Sequence, residues 1–192
     1  MGGQAYESAG IHAAKRSRYG NRWRGGVWTL FLIGVFSVIN LLMYAFGSSS
    51  YFLFTAYLPY SFGIVGIDYC MGWYGMPVDG GAGAFSLSIA AVFLILYFVI
   101  WFFARKKAGW LIAGLVLFLL DTLYMVYVMI ISGDPARFTM DCIIHALAIA
   151  EIAVGLHAAL KYGKLPPEDP EGAKTASPLN EENEPSEDSE EP

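Results

Sequence analysis

The chain has 192 residues, 56% of them apolar, with 12 Lys and Arg against 17 Asp and Glu. Soluble domains run nearer to about 45–50% apolar, and here the surplus is gathered into long uncharged runs, which excludes an ordinary soluble domain. The net charge of −5 is uneven: residues 165–192 hold ten acidic residues and one lysine, whereas the rest holds eleven basic and seven acidic residues, a cationic body with an acidic tail.

Residues 1–26 are polar and basic, with Lys15, Arg16, Arg18, Arg22 and Arg24. A basic stretch ahead of an apolar one resembles a secretory signal. The apolar run is longer than the roughly 7–15 residues of a signal core, however, and no small-x-small cleavage site ends it. It therefore reads as a first transmembrane helix over Val27–Phe46, with Trp28 and Tyr44 near its ends. Twenty residues at about 1.5 Å each cover roughly 30 Å, one hydrocarbon core. The basic stretch before it is expected to lie on anionic inner-leaflet lipid, not on nucleic acid.

Residues 51–66, YFLFTAYLPYSFGIVG, are apolar and aromatic with Pro59 at the centre. A fifth span is conceivable, but the run is short, and Pro59 and Gly63 weaken it as a helix. A re-entrant or interface-lying segment on the outer face fits better, with Tyr51, Phe52, Phe54, Tyr57 and Tyr60 at headgroup level. A second span follows over 84–103, stopped by Arg105, Lys106 and Lys107, and a third over 109–131, closed by Ser132–Pro135. The fourth covers about 139–160, ended by Lys161, and Pro166 and Pro167 break any continuation.

Placing the N-terminus inside puts eleven of the twelve basic residues on the inner side and leaves only Arg137 outside. That asymmetry fixes the expected orientation, with both termini cytoplasmic in a plasma or cytoplasmic membrane. Residues 164–192 are too polar to offset their ordering entropy and read as a disordered tail. Ser177, Ser186 and Ser189 lie in acidic or Pro-adjacent contexts that admit phosphorylation, but a solubilising tail is the expected role. The expected fold is thus an all-α integral membrane protein: a four-helix bundle over 27–163, an outer aromatic segment and an acidic cytoplasmic tail.

Ionisable side chains within the spans are expensive and are the natural place to seek function. Asp121 lies in the third span, and His145, Glu151 and His157 lie in the fourth, with Asp141 near its outer end. At about 1.5 Å per residue, Asp121 and Glu151 sit roughly 18 and 14 Å from the inner boundary, close to the midplane. Asp121, His145 and Glu151 are therefore expected to form an intramembrane polar cluster, with Asp141 and His157 as secondary candidates.

On the fourth span, Asp141, His145, Ala148, Ile152, Gly155 and Ala159 share one stripe at about 100° per residue. A second stripe, Ala146, Ala150, Ala153 and His157, suggests packing on two sides. Such a cluster can act as interhelical glue, as a proton or cation relay, or as a metal or catalytic site. The six-residue spacing of His145, Glu151 and His157 spreads them around the helix and disfavours the last. No nucleotide loop, nucleophile elbow or HExxH motif occurs. Cys70 and Cys142 lack metal-site spacing and read as free thiols. These features predict a non-enzymatic membrane protein without cofactor or metal, acting by association with membrane partners or with copies of itself. The alternative is a small proton- or cation-coupled transporter.

Overall fold

Long apolar runs without breakers produce long helices, and among the described residues four long helices and one shorter one occur. In a computed structural model, which describes residues 2–48 and 50–166 and side chains from residue 10 onward, they are α1 Gly2–Ala45, α2 Tyr57–Met71, α3 Gly80–Ala104, α4 Ala108–Ser132 and α5 Thr139–Tyr162. Short 3₁₀ turns at Trp73–Gly75 and Pro135–Phe138 complete the order, and no strand occurs among the described residues. Four helical segments, in α1, α3, α4 and α5, are long and apolar enough to cross a membrane. The chain is a multi-pass helical membrane protein. The acidic tail lies beyond the described residues.

Local chemistry sets the helix ends. The Asp79 carboxylate accepts the Gly81 and Ala82 amides at 2.9 and 3.1 Å and starts α3. Gly133, at φ +67°, supplies the left-handed residue that ends α4. The basic stretch before Val27 is a continuation of α1, which runs unbroken through Lys15 to Arg24.

The two most extensive helix pairings are of different kinds: α2 packs on α3, its neighbour in the chain, and α1 packs on α5, the first helix on the last. Both contacts run through glycines. A β-carbon on Gly26 would lie 2.9 Å from the Gly155 α-carbon, and one on Gly83 would lie 3.0 Å from the Gly66 carbonyl oxygen. Backbones this close gain dispersion contact that no larger residue permits. Leu30, Ile33, Tyr97, Leu111, Phe118 and Ile152 fill the centre.

The predicted stripe on α5 is the buried one: Asp141, His145, Ala148, Ile152, Gly155 and Ala159 all face inward. The second stripe is not packed within the chain, because Ala146, Ala150, Ala153 and His157 are exposed. On α4 the inward face carries Leu111, Gly114, Phe118, Asp121 and Met125.

Segment 51–66 neither crosses the bundle nor lies flat on its end. From the end of α1 the chain turns back to the middle of the bundle, where α2 begins beside Asp121. α2 then runs parallel to α1 and returns to the end it came from, with Gly63 against Leu41 and Asp68 bonded to Tyr44. Pro59, expected to weaken a helix here, sits in the first turn of α2. There a helix forms no internal N–H bond and proline carries no penalty.

Candidate functional site

An irregular strand inside an apolar bundle must find partners for every backbone amide and carbonyl. Three polar residues one turn apart on α1, Ser37, Asn40 and Tyr44, serve the returning segment. Asn40 donates from Nδ2 to the Phe52 carbonyl at 2.7 Å and accepts the Phe52 amide on Oδ1 at 2.8 Å. Its Nδ2 also reaches the Thr55 hydroxyl. The Ala56 amide donates to Ser37 Oγ at 2.8 Å.

The start of α2 completes this accounting. A helix leaves its first amides without internal acceptors. Here the Tyr57 amide donates to Asp121 Oδ2 at 2.8 Å, and the Leu58 amide to Oδ1 at 2.7 Å. Pro59 has no amide hydrogen, and Ala56 is served by Ser37. Asp121 is thus a helix cap supplied from another helix, a carboxylate at the positive end of the α2 dipole.

His145 stands against the same carboxylate. Its Nδ1 lies 2.8 Å from the Asp141 carbonyl oxygen. That oxygen only accepts, so Nδ1 carries a hydrogen and the second nitrogen governs the charge. Nε2 lies 3.4 Å from Asp121 Oδ2. A proton held between these two atoms would make either an imidazolium beside a carboxylate or a neutral imidazole beside a carboxylic acid. Both residues are only 2% exposed, and the Phe118 ring lies flat on the imidazole at 5.0 Å.

A chamber of about 420 Å³ leads from the loop end of the bundle to His145, with Asp121 behind it. Tyr51, Tyr57, Tyr60, Arg137, Asp141 and His145 line it. The Tyr51 hydroxyl donates to Asp141 Oδ2 at 3.0 Å, and its ring stacks on Tyr60 at 6.1 Å. Burial first, and then the Asp141 carboxylate beside it, pushes the Tyr51 phenol up to about 12. Tyr51 therefore remains a donor across the neutral range. At the mouth, the exposed Tyr74 holds a left-handed backbone at φ +53°, a conformation rare for a non-glycine residue.

Of the predicted cluster, Asp121 and His145 meet, and Asp141 joins them through its backbone carbonyl. Glu151 does not: it is exposed, with its carboxylate against Gly25 of α1. His157 is exposed as well. Among the described residues, no three His, Cys, Asp or Glu side chains converge as metal ligands. The roles of Ser37, Tyr44 and Asp68 were not anticipated, although the i, i+3, i+7 spacing of Ser37, Asn40 and Tyr44 marks a polar stripe on an otherwise apolar span. Compared with known proteins, the chain matches no protein family, no curated protein and no solved structure.

Proposed function

We propose that this chain is a small, non-enzymatic proton- or cation-coupled transporter. The tyrosine-lined chamber is its loading site and the Asp121–His145 pair its proton-holding element. The carrying observation is the position of His145 on the chamber wall with Nε2 3.4 Å from Asp121 Oδ2 behind it, two groups between which a proton can be held. A cation entering past Asp141 would disfavour an imidazolium at His145 and favour release of the proton from the pair into the chamber, one positive charge replacing the other. In this reading α2 is a re-entrant helix, the chamber faces outward in the plasma or cytoplasmic membrane, and both termini are cytoplasmic. Ten basic residues at the opposite end, among the described residues, support that orientation.

The test is flux in proteoliposomes carrying a trapped pH indicator, with the membrane potential clamped and with methylammonium as the cation probe. His145→Gln keeps an amide near the Nε2 position but cannot titrate. It should retain the wild-type unfolding midpoint and lose proton-coupled flux. A wild-type rate from a folded His145→Gln protein would end the transporter reading.

One observation favours a second reading, assembly with a partner or another copy. Ala146, Ala150 and Ala153 form an exposed strip of small residues beside Glu151, a face that lets another helix approach closely. Ala150→Cys should then cross-link between copies in the native membrane. Cross-linking no greater than at the lipid-facing control Leu123→Cys would remove this reading.

A further inference from the structure

The bundle carries a second groove at its opposite, basic end. α1 and α3 run antiparallel there, with Trp28 packed against Trp101 and Phe31 against both Trp101 and Phe98. An Arg and a Trp stand four residues apart on each side, in opposite order: Arg24 then Trp28 on α1, and Trp101 on α3 then Arg105, the residue that caps its end. Because the helices are antiparallel, both arginines emerge at the same end, and both tryptophans lie one turn, about 5.4 Å, deeper. The space between them is about 650 Å³, closed on one side by Tyr162.

We propose that this groove binds one anionic glycerophospholipid, with its phosphate between the Arg24 and Arg105 guanidinium groups and an acyl chain along Trp28, Phe31 and Trp101. Charge is the first argument. Among the described residues neither arginine is paired with a carboxylate, and Arg22, Lys106, Lys107 and Lys161 surround the same end.

Orientation is the second argument. The Arg105 guanidinium lies over the Trp101 ring, 5.2 Å from its centroid. This stacking holds the plane while its edge N–H groups remain available to a phosphate. The Ala104 carbonyl, which would repel a phosphate, is occupied by the Trp23 indole N–H at 3.1 Å. Depth is the third. A free phosphate would use only the arginines, whereas Trp28, 54% exposed in the groove, presents apolar surface where the first methylenes of a lipid tail would run.

The experiment uses the full chain in maltoside micelles, titrated with phosphatidylglycerol or phosphatidylcholine brominated on the acyl chain. Tryptophan fluorescence reads the quenching, and inorganic phosphate serves as competitor. The proposal expects quenching by phosphatidylglycerol at a concentration at least tenfold lower than by phosphatidylcholine, undisturbed by millimolar phosphate. The double variant R24Q/R105Q should lose that preference, and K106Q/K161Q should keep it.

Equal quenching by the two lipids would show an ordinary lipid-facing surface and overturn the proposal. Full competition by inorganic phosphate would show an anion site without a lipid and do the same. Equal loss of preference in K106Q/K161Q would reduce the effect to general charge and also overturn it. If R24Q/R105Q does not fold, the comparison of the two lipids and phosphate on the wild-type chain still decides.

Discussion

Asp121 holds two helix-terminal amides and faces an imidazole, and both side chains are buried. Asp121→Ala leaves both amides unpaired. At about 1–3 kcal/mol for each stranded donor, it should cost roughly 2–6 kcal/mol, read as a lowered midpoint in denaturant unfolding from micelles. Glu151→Gln should change that midpoint by less than about 0.5 kcal/mol, because Glu151 takes no part in this network. Equal losses from the two variants would contradict the separation seen here. Hydropathy and depth made Asp121 and His145 legible in the sequence, since an ionisable group in an apolar run has few places to go. The same depth argument drew in Glu151 wrongly. Six residues at about 100° each place it about 120° around α5 from His145, and that rotation outweighs a similar depth.

At the level of helices, length and hydropathy suffice to locate α3, α4 and α5 to within a few residues, because each satisfies its own backbone. α2 follows a different rule. Its first amides are satisfied by Ser37 and Asp121, respectively 19 and about 64 residues away along the chain. A local reading therefore sees only a short run broken by proline. Pairing is equally nonlocal: α1 meets α5 through Gly26 and Gly155, whose approach is set by the absence of side chains. Gly155→Ala would place a β-carbon 2.7 Å from the Gly26 α-carbon, and backbone cannot yield as a side chain does. The expected cost is about 1–3 kcal/mol. Ala153→Leu, on the exposed side of the same helix, should cost far less. Thermal unfolding followed by circular dichroism distinguishes the two.

Across the whole molecule, charge and chamber lie at opposite ends. The basic residues gather where α1 begins and α3 ends, and the chamber opens where α1 ends and α5 begins. Cys70 lies at the chamber end and is exposed, so topology can be read from a native side chain. In intact cells of a Cys142→Ser background, a membrane-impermeant maleimide should label Cys70 but not a cysteine placed at Pro166. The reverse pattern would invert the molecule. The cap on α2 also sets a timetable for biogenesis. The Tyr57 and Leu58 amides leave the ribosome about 63 residues ahead of the carboxylate that receives them. At about 5–20 residues per second, that is a delay of roughly 3–13 s. Through that interval the Tyr57 and Leu58 amides lack the acceptor they have in the finished fold, and they wait for α4. The start of α2 thus reaches its final hydrogen bonding only after the middle of α4 has been made.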